Sequence, residues 1–205
     1  MPTLRYVFCD VFTDTPLTGN QLAVFTDGRG ATDDQMQQLA KEIGFSETVF
    51  VLPPEADGNA RIRIFNPIYE MDFAGHPTLG AAFVLGAPLQ LGVITLETGA
   101  GPVPVVLERD ESGRIVFGRM QQPVPRVSPY PEPDAVVAAV GATGSTLPVE
   151  LYDNGARHVI VTFSSVEELA SLRPDTEAIA DFGITGISCI AQDGDRVRSR
   201  MFWQN

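Results

Sequence analysis

The sequence predicts an α+β protein built of two similar lobes, and three observations carry that expectation. Arg61-Ile62-Arg63-Ile64-Phe65 and Arg198-Ser199-Arg200-Met201-Phe202 share an Arg-x-Arg strand pattern, 137 residues apart. At the same offset the strand-like run Leu22–Thr26 falls on Val159–Phe163. In both halves the elements run strand, capping-box helix, strand, strand, the shared order that an internal duplication leaves. The Pro-rich stretch from Pro123 to Pro133 reads as a linker between the halves. It gives a first lobe over residues 1–122 and a second over 123–205, with the boundary near 118 if the chain wraps back.

Taken in order, Tyr6–Phe12 and Leu22–Thr26 read as strands joined by the turn Thr15-Pro16-Leu17-Thr18-Gly19-Asn20. Thr32-Asp33-Asp34-Gln35 matches a capping box, Met36, Leu39, Ala40 and Ile43 follow at helical spacing, and Gly44 stops the helix. Strands are expected at Thr48–Leu52 and Ala60–Phe65, the latter with Arg61 and Arg63 on one face and Ile62 and Ile64 on the other. Pro77 suits a first helical position, so Thr78–Leu85 is expected as a short helix capped by His76. Strands follow at Val93–Leu96, Val103–Leu107 and Ile115–Arg119. The second half is expected to hold a helix at Pro133–Val140 ended by Gly141, a strand at Val159–Phe163, a capping-box helix from Ser165 to Leu172, and strands at Gly186–Ala191 and Arg196–Phe202.

Composition narrows the function. With 44% hydrophobic and 20% charged residues over 205 positions, the chain has enough apolar side chains for a sizeable core. A net charge of −12 argues against nucleic acid, because phosphates need a basic footprint. No apolar run approaches the roughly 20 residues of a membrane span, and the N-terminus lacks a basic stretch followed by an apolar one, so a cytoplasmic protein is expected. Cys9 and Cys189 lie in separate apolar runs and read as buried free thiols. His76 and His158 have no ligand spacing between them, so no metal is expected.

Two stretches could carry chemistry. A helix start exposes unpaired N–H groups and a partial positive charge. In Gly75-His76-Pro77-Thr78, Pro77 has no N–H, leaving those of Thr78 and Leu79, the Thr78 hydroxyl and the His76 imidazole as a cradle for a carboxylate or enolate oxygen. Spacing alone fits a plain helix-capping histidine at least as well. In Ser46-Glu47-Thr48, Glu47 sits at the mouth of an apolar strand, where a partly desolvated carboxylate can move protons. An ordinary exposed strand start is the other reading, and spacing alone favours it. Asn20 could hold a polar group of a ligand beyond its turn role, and His158 is more often structural. Gly99-Ala100-Gly101 leads into Pro102 and a strand, so a dinucleotide loop is rejected.

Together, Asp10-Val11-Phe12-Thr13, Leu17-Thr18-Gly19-Asn20, Phe45-Ser46-Glu47-Thr48 and Phe73-Ala74-Gly75-His76-Pro77-Thr78-Leu79-Gly80 resemble the phenazine-biosynthesis isomerase family, PhzF-like. The likeness covers roughly the first 120 residues closely; the second half follows more loosely through Gly155 to His158 and the strand before Met201-Phe202. The resemblance implies the diaminopimelate-epimerase-like fold, two α/β lobes each with a sheet wrapped round a central helix and the active site between them. It implies Glu47 as general acid/base, carrying a proton from one carbon to another. His76 would bind or polarise the substrate, Gly75 and the Thr78 end of the helix would hold a carboxylate, and Asn20 and His158 would line the cleft. His76 stands where amino-acid racemases of this fold have one of their two cysteines, so a two-thiol mechanism is disfavoured.

The implied activity is a cofactor-independent isomerisation of a small carboxylated metabolite, of the kind found in secondary-metabolite and antibiotic biosynthesis, in a homodimer. Family members continue past the Met201-Phe202 strand into an Asp-Pro-Ala-Thr-Gly-Ser segment. The second lobe is therefore expected to be truncated at its C-terminus. The alternative function is an inactive or partner-completed homologue that acts as a binding protein.

Overall fold

Period-two apolar patterning sets the strands of the first half. They are β1 (Tyr6–Val11), β2 (Asn20–Phe25), β3 (Thr48–Leu52), β4 (Ala60–Phe65), β5 (Glu70–Met71), β6 (Val93–Thr98), β7 (Gly101–Arg109) and β8 (Ile115–Met120). In the computed structural model, which describes residues 3–203, they form one sheet in the order β1-β2-β3-β4-β6-β7-β8, with β5 on β4. The chain divides into two units, one up to Pro123 and one from Val124.

Two helices cover the two faces of the first sheet. Helix α1 (Asp33–Ile43) starts with both halves of its capping box formed: the Gln35 N–H donates to Thr32 Oγ1 at 3.3 Å, and the Thr32 N–H donates to Gln35 Oε1 at 3.1 Å. Gly44, at φ 71°, ends it in the left-handed conformation. Met36 and Ala40 of α1 are buried with Phe25, Phe50 and Phe65, and the Phe25 and Phe50 rings stack with centroids 4.6 Å apart.

Helix α2 (Gly75–Leu89) has no polar stripe, as expected of a helix enclosed over most of its length, with only its last turn, Ala87 to Leu89, exposed. It packs against β1, β2, β3, β6, β7 and β8, so this sheet curls round it. Gly80 makes the approach close: a Cβ there would lie 2.5 Å from Leu22 Cδ2 and 2.8 Å from Val11 Cγ2. The expected start at Thr78 with a His76 cap is corrected. The N-cap is Ala74, which offers no side-chain bond, and His76 is the second residue inside the helix. Pro77 fits because the first turn needs no N–H from it.

The second unit holds β9 (Arg126–Pro129), α3 (Pro133–Ala139), β10 (Glu150–Asp153), β11 (Arg157–Phe163), α4 (Val166–Ser171), α5 (Thr176–Ala180), β12 (Gly186–Asp193) and β13 (Arg196–Phe202). Its sheet runs β13-β12-β11-β10-β9. The pairings β10–β11 antiparallel, β11–β12 parallel and β12–β13 antiparallel repeat those of β1–β2, β2–β3 and β3–β4. The Arg-x-Arg offset has a matching physical use. Arg63 lies over the Phe65 ring at 5.1 Å and pairs with Glu70 and Asp33, while Arg200 lies over Phe202 at 4.9 Å and donates to the Leu169, Ala170 and Leu172 carbonyls at the end of α4.

Three expectations change in this unit. The Pro-rich linker contains β9, an edge strand where Pro129 needs to donate no ladder bond. The Ser165 capping box is half formed: the Glu168 N–H donates to Ser165 Oγ, but the Glu168 carboxylate accepts from the N–H and hydroxyl of Ser164 instead. The helices are short, and α4 lies on β11, β12 and β13; among the described residues there is no long central helix like α2. No helix among the described residues is long and apolar enough to cross a membrane.

Candidate active site

The β1–β2 connection is tightly folded. Phe12 and Leu17 take left-handed φ values of 64° and 67°, unusual for side chains of their size. The Leu17 N–H donates to Asp10 Oδ2 at 2.7 Å, and a Cβ on Gly19 would lie 2.5 Å from the Val11 carbonyl oxygen. Only glycine fits there, and the next residue, Asn20, opens β2. Glu47 follows the glycine stop of α1 and directly precedes β3, while the β2–β3 parallel pairing sets Ala23 beside Thr48. Helix α2, seated against both strands, brings its second residue to the same place.

The result joins residues far apart in sequence. His76 Nε2 lies 3.3 Å from Glu47 Oε2, and His76 Nδ1 lies 3.3 Å from Asn20 Nδ2. Ser46 Oγ donates to Asn20 Oδ1 at 3.3 Å, so Ser46, Asn20, His76 and Glu47 form a continuous polar chain. His76 is only 9% exposed. Its Nε2 and the Glu47 Oε2 are close but off the line a hydrogen bond needs, and both atoms are buried without a hydrogen-bond partner. Leaving such atoms unpaired costs about 1–3 kcal/mol each, and sites that bind or react are where that cost is tolerated. Burial pushes the His76 imidazole below its ordinary value of 6.5, opposed by the Glu47 charge and by a hydrogen bond to the Gln21 main chain. The net lowering leaves the ring neutral near pH 7, with one N–H and one lone pair.

The remaining expected residues fall as follows. Gly75 opens α2, but neither its φ nor its space demands glycine: a Cβ would meet only Met120 Cε at 3.6 Å. Thr78 is fully buried, and both its hydroxyl and its N–H donate to the Ala74 carbonyl, at 2.8 and 3.3 Å. Its donors are spent inside the helix; with the helix starting at Gly75, the N–H groups without an intrahelical partner are instead those of Gly75 and His76, beside the His76 imidazole. His158 lies in the second unit on β11, with Nδ1 3.5 Å from Ser188 Oγ, and burial lowers its pKa too. Sequence reasoning gave no role to Ser46 or to Phe12, whose exposed ring has its centroid 6.5 Å from that of His76. Ser46 could have been found beside Glu47; the Phe12 contact depends on a backbone turn that composition does not announce. Among the described residues no group of three or more His, Cys, Asp or Glu is placed to hold a metal ion.

Comparison with known proteins identifies the family. The family model described as phenazine biosynthesis-like protein matches residues 9–203. The trans-2,3-dihydro-3-hydroxyanthranilate isomerase of Pseudomonas aeruginosa is 47% identical over 198 residues, covering 97% of this chain and 71% of that protein. Its namesake in Pseudomonas fluorescens is 43% identical over the same shares. The crystal structure of the Bacillus anthracis phenazine biosynthesis protein, PhzF family, superposes with a TM-score of 0.80 at 28% identity, covering 100% of this chain and 73% of that one. A hydroxyproline epimerase from Agrobacterium vitis, 13% identical with a TM-score of 0.64, covers 97% of this chain and 69% of its own and shares the fold alone. The chain belongs to the phenazine biosynthesis-like protein family.

Proposed function

We propose that this chain is an isomerase that moves a proton within a small carboxylated metabolite of a biosynthetic pathway, with Glu47 as the general acid/base. The observation that carries this reading is the buried Glu47–His76 pair, 3.3 Å apart, with an unpartnered polar atom on each side. The Glu47 carboxylate takes a proton from one substrate carbon, and the C–H electron pair enters the neighbouring unsaturated system. The double bond shifts, and the same carboxyl returns the proton to a different carbon. Nothing is oxidised or reduced, so the step calls for no redox cofactor. Neutral His76 is a hydrogen-bond donor beside the developing charge, and the start of α2 favours an anionic group there. Asn20 meets the imidazole on its other side at 3.3 Å, and this reading expects a homodimer.

The compound to try first is trans-2,3-dihydro-3-hydroxyanthranilate, for which the Pseudomonas relatives are named. Incubating it with the protein and following the ring protons by NMR tests the reading. Conversion that Glu47→Gln abolishes supports it. Conversion undiminished in Glu47→Gln refutes the assigned role, and a complete lack of conversion across carboxylated cyclohexadienes favours a binding protein instead.

A further inference from the structure

We propose that Phe12 is a specificity-determining residue: its exposed ring is the wall on which the flat, unsaturated ring of a cyclic carboxylate packs while it reaches Glu47 and His76. This rests on the reading of that pair as the reacting site. Glu47 meets His76 Nε2 and Asn20 meets Nδ1, each at 3.3 Å, and the Phe12 ring stands with its centroid 6.5 Å from that of the imidazole, tilted by 56°. Phe12 is the apolar member of this group, and it is 73% exposed.

Two costs meet at this residue. A phenyl ring left in water forgoes the free energy that burial would give it. A left-handed φ of 64° adds strain that a side chain of this size rarely carries. The turn holds Phe12 in place from both sides. Before it, Asp10 Oδ2 accepts from the Leu17 N–H at 2.7 Å; after it, Thr13 Oγ1 meets Thr18 Oγ1 at 2.6 Å and accepts from the Thr15 N–H at 3.0 Å. Gly19 closes the turn against Asp10, Val11 and Thr13. Leu17 is also left-handed and exposed, so these costs do not assign the role by themselves. What singles out Phe12 is its ring contact with the imidazole of the unsatisfied Glu47–His76 pair. The ligand class follows from the reaction. A proton moved between carbons through a shifting double bond calls for a conjugated substrate, which presents a flat π face. Such a face stacks on an aromatic ring with an offset that a puckered, saturated ring cannot match.

Anthranilate and its fully saturated counterpart, aminocyclohexanecarboxylate, carry the same polar groups and differ in flatness. Titrated against the wild-type protein by NMR, anthranilate should bind roughly 10-fold more tightly. Phe12→Ala and Phe12→Leu should each lose most of that preference, while Phe12→Tyr, which keeps the aromatic face, should hold it within about twofold. Leu17→Ala, in the same turn, should leave it unchanged. Turnover of trans-2,3-dihydro-3-hydroxyanthranilate by Phe12→Ala should show a raised KM with kcat little altered, the mark of a contact made equally in ground and transition states. A wild-type protein without preference for the flat acid, a preference intact in Phe12→Leu, or an equal loss in Leu17→Ala overturns the proposal. The titrations need no proton transfer. A lost preference in Phe12→Leu together with full turnover by Glu47→Gln therefore upholds the wall and refutes the shuttle, and the reverse pair of results refutes the wall alone.

Discussion

Replacing Gly80 by Ala tests how closely α2 is seated against the sheet, and the sign of the effect decides. The new methyl would lie 2.5 Å from Leu22 Cδ2 and 2.8 Å from Val11 Cγ2. Leu22 is fully buried and Val11 is 6% exposed, so neither side chain has open space to move into. Overpacking of this kind costs about 1–3 kcal/mol. Alanine is the better helix former by about 1 kcal/mol, which offsets part of the loss. The net expectation is a destabilisation of about 1 kcal/mol, a fall in Tm of roughly 3–6 °C for a unit of this size. Gly75→Ala is the internal control, since its methyl would meet only Met120 Cε at 3.6 Å; its Tm should stay within a degree or two of wild type. Thermal unfolding by circular dichroism, with urea titration alongside, reads both. A Gly80→Ala protein that melts higher than wild type would mean that helix propensity wins, and that the close approach of α2 to β1 and β2 does not exist in solution. The same displacement would widen the 3.3 Å contact between Asn20 on β2 and His76 on α2.

Other expectations follow from single contacts. Thr32→Ala removes one half of a fully formed capping box and should cost about 1 kcal/mol by urea denaturation; a cost below the error of the measurement would show that the Thr32 side chain does not hold the helix start. Both histidines are held below their ordinary value of 6.5 by burial. The unfolded chain therefore binds their protons first, and the stability they contribute is present above pH 6.5 and lost as pH falls below it. Urea midpoints measured from pH 7.5 to 5.5 should decline. In the His76→Gln, His158→Gln double variant that decline should flatten, and an equally steep decline there would assign it to other groups.

Several elements were legible because local chemistry alone fixes them. The Thr32 box, the Gly44 stop and the alternation in Ala60–Phe65 each determine an element without reference to the rest of the chain, and β3 and β4 keep their expected bounds. The start of α2 was misread because Ala74 provides no capping signal and Pro77 suggests a first helical position. β9 was hidden in a proline run that only an edge position tolerates, and β10, lying next to it, carries Glu150 and Asp153, poor strand formers held by pairing on both sides. Glu47 and His76 could each be singled out, but their meeting could not. It depends on β2 pairing parallel to β3 and on Gly80 letting α2 down onto them, contacts that span 25 to 58 residues of sequence. Thr78 was misassigned for the reverse reason: its hydroxyl looked available until the helix start moved back and the Ala74 carbonyl claimed it.

The central claim is that Glu47 carries a proton between two carbons of one substrate. Turning over trans-2,3-dihydro-3-hydroxyanthranilate in D2O and locating deuterium in substrate and product by NMR and mass spectrometry tests it most directly. The Glu47 side chain is 18% exposed, so its carboxyl can exchange its proton with solvent between the two steps; the account predicts deuterium at the carbon that receives the proton, and neither product nor deuterium when Glu47 is Gln and the fold is intact. Deuterium entering at an undiminished rate in Glu47→Gln would contradict it.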